Sequence, residues 1–413
     1  MKILQINKFW YRHGGADVYA IDIADALKKH GHDVSYFGMD HKNNIKTRYK
    51  KYFIKERNIS NEDYKKKLSP AKIKEALNII YAKEAAKKLD QLLQDEEFDI
   101  AHIHNIYHHL SPSILGVLRR HNIPVVQTLH DYKRLCPNHA MFTQGSICER
   151  CKGRKYYNAV KFKCVFNSKA ASAVVATEMY AQSVFGWYDN YIDRFIAPSA
   201  FMKKKHVEWG RTPKNIDVLH YGMEVSGKIT KPGKHVLYAG RLADEKGIDV
   251  VLKIAKEFPD ITFDVAGDGP LRTHVEYTIK SQKLGNVKLH GHVSKARLKK
   301  LRDSASFLLI PSQWYENYPL SLLEMFAHGR AAIGSRLGGI PEMIIDGKTG
   351  FLCDHQDMAQ WIDKTRKLCY SKPLSEKMGE KARKQVETTN DPEKHYEMLV
   401  GIYKKTIKAR KNS

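Results

Sequence analysis

A chain of 413 residues with 42% hydrophobic side chains is long for a single core and apolar enough for two folded domains, which sets aside a disordered chain. It holds no apolar run long enough to span a bilayer and no leader peptide at Met1, so it reads as a cytoplasmic protein. Its 70 Lys and Arg against 45 Asp and Glu leave a net charge of +25, a surplus that attracts anionic lipid, phosphorylated substrates or nucleic acid. Between Lys42 and Lys74 twelve basic residues meet three acidic ones, and the tail ends Lys404, Lys405, Lys408, Arg410, Lys411. This is either a patch facing an anionic membrane or a solvated lysine-rich surface. No nucleic-acid module or paired-aromatic signature accompanies it, so no specific nucleic acid is expected.

In chain order, short β-branched runs alternate with helical stretches, the pattern of α/β domains with parallel sheets covered on both faces. Strands are predicted at 2–7, 33–38, 99–103, 124–129, 173–177 and 194–197, with 216–219 closing the first half. A linker at 228–234 holds Pro232 and Gly233, and a second series follows at 235–239, 262–266, 287–290, 307–310 and 331–334. A final helix at 393–411 is expected to return to the first domain. The predicted division is 1–227, with a cysteine-rich insertion at 135–165, then 228–392, then 393–413. Two Rossmann-like domains facing across a cleft would gather ligands at the C-terminal ends of their strands.

The motifs lie at those strand ends. Gly14-Gly15 precedes a helix predicted at 16–30, where glycines let backbone amides approach a phosphate or sugar; a plain tight turn explains the pair nearly as well. His130-Asp131 ends the fourth strand, where an imidazole can hydrogen-bond a sugar hydroxyl or a phosphate. His102, His104, His108 and His109 have no obvious third metal ligand near them. Cys136, Cys148, Cys151 and Cys164 fall in one window of 29 residues with Cys148-x-x-Cys151 at ligand spacing. In a reducing compartment they suggest a structural zinc rather than disulfides, supplying a core that the segment otherwise lacks.

In the second half, Gly240-Arg241-Leu242 and Lys246 can converge on one anion, Arg241 as a planar fork and Lys246 as a compact charge. Gly267-Asp268-Gly269 opens room at the next strand end, with Asp268 read as a helix cap. Glu316-Asn317-Tyr318-Pro319-Leu320 leads into a helix carrying Glu324. Two carboxylates placed so can hold two hydroxyl-bearing parts of a nucleotide-sugar, while the intervening helix N-terminus offers N–H groups to its phosphates.

Taken in order, Gly14-Gly15, Thr128-Leu129-His130-Asp131, Ala197-Pro198-Ser199, Gly240-Arg241-Leu242 with Glu245-Lys246-Gly247, Ala266-Gly267-Asp268-Gly269-Pro270, and Glu316-x7-Glu324 with Gly338-Gly339 resemble the retaining glycosyltransferases of family 4, over nearly the whole chain. The resemblance implies the GT-B fold, with an acceptor-binding first domain and a nucleotide-sugar-binding second one. It implies that Arg241 and Lys246 bind the donor diphosphate, Glu316 the transferred sugar and Glu324 the ribose. His130 would sit beside the sugar and β-phosphate, with Gly15 offering its amide. No catalytic metal is needed if two cations serve the diphosphate. The expected reaction is sugar transfer, with retention, to a saccharide acceptor, lipid-linked and at the inner membrane face, in cell-surface polysaccharide biosynthesis. Two departures stand out: His220-Tyr221-Gly222 where relatives have Asn-Gly, and Asn317-Tyr318 where glycine and phenylalanine are common. The cysteine-bearing loop resembles an insertion found in a subset of the family. Rival readings are a nucleotide-sugar epimerase or phosphorylase on the same fold, and a basic nucleic-acid-binding protein on a degenerate one.

Overall fold

The computed structural model describes residues 1–57, 70–210, 215–225, 227, 229 and 231–412, with the backbone alone at 70–73. The chain divides into two compact units: Met1–Thr143 with Cys148–Leu219 and Tyr396–Ser413, and His220–His395 with Gln144–Ile147.

The first unit is built on β1 (Lys2–Ile6), β2 (Asp33–Phe37), β3 (Ile100–Ile103), β4 (Val125–Thr128), β7 (Arg194–Ala197) and β8 (Ile216–Val218); the two-residue strands β5 (Phe142–Thr143) and β6 (Ser146–Ile147) form a separate two-stranded sheet. The six pair in the order β2-β1-β3-β4-β7-β8, all parallel. The second unit repeats the plan with β9 (His235–Ala239), β10 (Phe263–Ala266), β11 (Val287–Gly291), β12 (Ala305–Ile310), β13 (Ala331–Ser335) and β14 (Gly350–Cys353). Their order is β11-β10-β9-β12-β13-β14, again all parallel. Every residue of β3, β4, β12 and β13 is buried. Strands covered on both faces read as near-continuous apolar runs, as Phe307-Leu308-Leu309-Ile310 does, whereas β3 and β4 carry His102, Gln127 and Thr128 buried within them. In each sheet the chain order reverses once, between β1 and β3 and between β9 and β12. That reversal splays the following loops and leaves room for a ligand at the strands' C-terminal ends.

Two strand assignments need correction. Residues 173–177 lie inside the helix Lys169–Phe185. The Ser168 hydroxyl caps it by accepting from Ala171 N, and Gly186 closes it in the left-handed region at φ 60°. Strand β14 was not anticipated; a Cβ on Gly350 would sit 2.1 Å from Ala332 O, so glycine admits the close pairing with β13.

The last helix, Pro392–Lys411, returns to the first unit as expected. Tyr403 is fully buried with its hydroxyl 2.6 Å from His102 Nδ1, Arg410 pairs with Asp193 at 3.0 Å, and Tyr396 stacks on His30. Among the described residues no helix is long and apolar enough to cross a membrane. Of the basic run from Lys42 to Lys74, residues 58–69 lie outside the described residues. In the described part Arg48, Lys50, Lys51 and Arg57 each pair with a carboxylate: Glu96, Asp40, Asp95 and Glu84.

Candidate active site

The second unit gathers its charged motifs where the strand order reverses. After β9, Gly240-Arg241-Leu242 runs against the turn that follows β10: Gly240 N donates to Ala266 O and Leu242 N to Asp268 O, both at 3.0 Å. A Cβ on Gly267 would lie 1.8 Å from Gly240 O, and one on Gly269 2.4 Å from Leu242 O. Only glycine lets the two turns meet this closely. The turn Asp244–Lys246 is then tied to the loop after β12 by Gln313 N donating to Glu245 O at 2.8 Å.

Across that tie, Lys246 Nζ stands 2.7 Å from Glu316 Oε1 and 4.8 Å from the Trp314 ring centre. The Ser312 hydroxyl donates to the same carboxylate oxygen at 2.7 Å. Glu316 is only 6% exposed. Burial works to raise its carboxyl, but the Lys246 charge and the hydrogen bonds outweigh it and hold Glu316 below the usual range. Its backbone is fixed as firmly: Gly339 N donates to Glu316 O at 2.7 Å, and Gly338, at φ 62°, leaves 2.2 Å between a would-be Cβ and that oxygen. The Gly338-Gly339 pair is therefore a brace for the glutamate. Arg241 lies at the exposed rim and pairs with Glu245. The structure thus gives Arg241 and Lys246 separate carboxylate partners.

Glu324, on the helix Leu320–Ala327, pairs with the buried Arg302 of the helix Lys295–Ser304, a partner that sequence reasoning missed. Pro319 occupies the N-cap position, while Asn317, Pro319 and Leu320 are partly exposed. The Tyr318 side chain is instead buried among His220, Tyr221 and Asn390. Asp268 accepts from Gly269 N at 2.8 Å and from Arg272 at 2.9 Å, and these donors, Gly269 first, hold it low. The next helix has Leu271 at its N-cap, so Asp268 braces the turn rather than capping that helix.

In the first unit, Gly14 is the N-cap of the helix Gly15–Lys29 and donates its N–H to Asp17, which Asn7 anchors at 2.8 Å. Gly15 is exposed at the helix start. His130 Nε2 lies 3.0 Å from His104 Nδ1, and His104 Nε2 lies 2.9 Å from Gln5 Oε1. With a carbonyl oxygen before it, His104 Nε2 carries the proton; Nδ1 then accepts, and His130 Nε2 donates. Burial pushes His130 down to about 3 and lowers His104 as well. His130 therefore works as a neutral, oriented imidazole. His102, bonded to Thr128 and Tyr403, buttresses the same strand end. Among the described residues no group of three or more His, Cys, Asp and Glu stands ready to hold a metal ion.

A ring cluster at the end of β1 was also missed. Tyr11 stacks on His41 at 4.3 Å, with Phe9 within 6.2 Å of Tyr11, His13, His41 and His109. The signal was Phe9-Trp10-Tyr11: in the loop after β1, Trp10 is fully buried while Phe9 and Tyr11 stay partly exposed.

The model of glycosyltransferase family 4 matches residues 13–226, more than half of the chain. The chain belongs to glycosyltransferase family 4. Residues 224–385 of this family 4 protein match the model of glycosyl transferases group 1. A curated relative, the uncharacterized glycosyltransferase MJ1178 of Methanocaldococcus jannaschii, is 23% identical over 60% of this chain and 69% of its own. Among solved structures, sucrose-phosphate synthase from Thermosynechococcus elongatus matches at TM-score 0.74 with 17% identity over 99% of each chain. Anabaena HepE in complex with UDP and glucose matches at 0.68 with 15% identity over 97% of this chain and 98% of that one. The lipopolysaccharide outer core galactosyltransferase WaaB matches at 0.64 with 14% identity over 97% and 99%. These structural likenesses establish the GT-B fold of the family 4 protein.

Proposed function

We propose that the protein is a retaining glycosyltransferase that moves a hexose from a nucleoside diphosphate sugar to a hydroxyl of a lipid-linked saccharide. The observation that carries this reading is the 2.7 Å pair of Lys246 and Glu316 at the strand reversal of the second unit. A carboxylate kept ionised there accepts hydrogen bonds from sugar hydroxyls, while Lys246 and Arg241 neutralise the diphosphate. Glu324, oriented by Arg302, binds the ribose. His130, whose Nε2 proton goes to His104, accepts from a sugar hydroxyl at Nδ1, and the Gly15 amide donates to the phosphate. The first unit takes the acceptor, with the rings of Phe9, Tyr11 and His41 as its sugar-facing rim.

In the retaining course that the family suggests, the acceptor oxygen attacks C1 on the face from which the diphosphate departs. The C1–O bond to phosphate breaks, the C1–O bond to the acceptor forms, and a diphosphate oxygen takes the acceptor's proton. With two side-chain cations serving the diphosphate the transfer step calls for no divalent ion, so added magnesium or manganese should not raise turnover. HepE's complex with UDP and glucose supports the donor class, and the likeness to WaaB, named a lipopolysaccharide outer core galactosyltransferase, supports the acceptor class. The basic surplus supports work at an anionic membrane face.

The test begins with a thermal-shift panel of UDP, GDP, ADP and their sugars, followed by transfer to saccharide acceptors and NMR of the product's anomeric configuration. An epimerase would convert the donor without transfer to a saccharide hydroxyl, and a phosphorylase would transfer from a sugar phosphate and leave the nucleotide-sugar unused. Absence of any nucleotide-dependent shift would overturn the donor reading.

A further inference from the structure

The segment from Cys136 to Cys164 holds its shape with little of what normally holds a fold. Its regular structure is two strands of two residues, one turn at Lys152–Arg154 and the five-residue helix Tyr157–Lys161. Its apolar cluster is small: Tyr156 and Ala159 with Ala176 and Met179 of the neighbouring helix, closed by Cys151. Yet its backbone is costly. Of the eleven non-glycine residues with positive φ among the described residues, seven lie in this segment and the three residues after it: His139, Met141, Gln144, Arg154, Lys163, Phe166 and Asn167. Each such residue works against folding unless its surroundings over-determine it. Something beyond apolar burial must do so.

The four cysteines supply it. Cys136, Cys148, Cys151 and Cys164 all line one small cavity of ≈ 10 Å³, beside Asn138 and Phe162. None is in a disulfide. Backbone N–H groups of Asn138 and Met141 are hydrogen-bonded to the Cys136 sulfur, and that of Ala159 to the Cys151 sulfur. N–H groups aimed at sulfur are the outer support that thiolate ligands of a metal require. Cys148-x-x-Cys151 forms the central knuckle, and Cys136 and Cys164 flank it at nearly equal distances in the chain.

We propose that these four cysteines bind one structural zinc ion, which closes the insertion and steadies the loop that carries His130 and Asp131. The side chains as described make local contacts instead, Cys136 Sγ at 2.9 Å from Asn138 Oδ1 and Cys148 Sγ at 3.8 Å from Arg150, and do not yet form a ligating set. Rotation about χ1 between staggered positions re-aims each sulfur without moving the backbone. Four thiolates complete a closed tetrahedral site with no open position for chemistry, so the ion's role is stability. The link to the neighbouring loop is short: Cys136 N donates to Tyr132 O at 2.8 Å, and Lys133 Nζ to Pro137 O at 3.1 Å.

The experiment uses the full chain purified from zinc-supplemented medium. Elemental analysis is expected to find about one zinc per chain, released only after a mercurial reagent has titrated about four thiols. Cobalt exchanged into the protein should show the thiolate charge-transfer bands of a tetrahedral sulfur site. Cys148→Ser should lower the zinc content at least tenfold, whereas the control Cys369→Ser keeps it. If Cys148→Ser fails to fold, Cys164→His decides: it retains the metal with a shifted cobalt spectrum. Protein that folds without stoichiometric zinc and keeps its melting temperature in strong chelator overturns the proposal. So does finding iron in place of zinc, or these cysteines joined in disulfides. None of these readouts depends on transferase activity.

Discussion

Tyr318 lies face to face with His220, ring centres 4.9 Å apart and planes within 15°. Tyr221 meets the same ring edge-on at 5.7 Å, and Asn390 Nδ2 bridges the Tyr318 hydroxyl and Tyr221 O at 2.9 and 2.8 Å. The two departures from the family pattern are therefore one feature. An aromatic ring two residues after Glu316 is matched by aromatic residues at the end of the first half. Together they fix the backbone next to the glutamate.

Removing that ring should cost stability and displace Glu316. Tyr318→Ala should lose about 3–5 kcal/mol, as large buried aromatic truncations do. Tyr318→Phe, which keeps the stack and drops one hydrogen bond, should lose about 1 kcal/mol. Urea unfolding midpoints measure both. Equal losses in the two variants would mean that the ring stack contributes nothing.

Lys246 and Arg241 should separate stability from catalysis. Lys246→Ala strands a buried carboxylate, so it should cost about 3–5 kcal/mol of stability. It should also lower turnover at least about a hundredfold. Arg241→Ala, at an exposed pair, should leave stability within about 0.5 kcal/mol. Its turnover should fall by a similar factor. Near-normal turnover in Arg241→Ala would remove it from the diphosphate site.

Acid should destabilise the protein through its histidines before its carboxylates. Burial holds His109 and His130 down to about 3 and His395 to about 4, against an ordinary value of 6.5. As pH falls below 6.5 the unfolded chain takes up protons that the folded chain refuses. Stability is then lost by about 1.4 kcal/mol per pH unit for each such histidine. Glu316 is shifted in the same direction but acts lower: its contribution is intact above 4.5 and is lost only as pH falls through its lowered value. Melting temperature should therefore decline steadily from pH 6.5 to 4.5, and His395→Asn should flatten the slope. A level profile between pH 7 and 5 would contradict the neutral histidines.

Glu324→Gln should raise the donor KM about tenfold, the loss of one charge-assisted hydrogen bond, with kcat little changed. A fall in kcat at constant KM would place Glu324 at the reacting sugar instead of the ribose.

Flotation with vesicles containing anionic lipid should capture the protein at low salt and release it as salt rises. Failure to bind at any ionic strength would remove the membrane from the proposal and leave the transferase intact.

Glycines and charges at strand ends were readable because such positions have few other uses. The would-be Cβ distances at Gly267, Gly269 and Gly338 give the physical reason. The pairs Lys246–Glu316 and Arg302–Glu324 join residues 70 and 22 apart, and no local period encodes them. Residues 173–177 read as a strand because Ala-Val-Val-Ala-Thr has no clear period; the decisive signals, Ser168 and Gly186, lay outside the run. The sequence offered no third metal ligand beside His104, but nothing in it showed that His104 meets His130 at 3.0 Å.

Tyr403, lodged against His102, follows it by 301 residues, yet the sheet it completes has all its strands before the second unit. During synthesis the opening half of the chain must therefore wait, with the pocket for that ring unfilled, until residue 403 has emerged. A chain cut before Pro392 would leave that pocket open and His102 without this hydrogen bond.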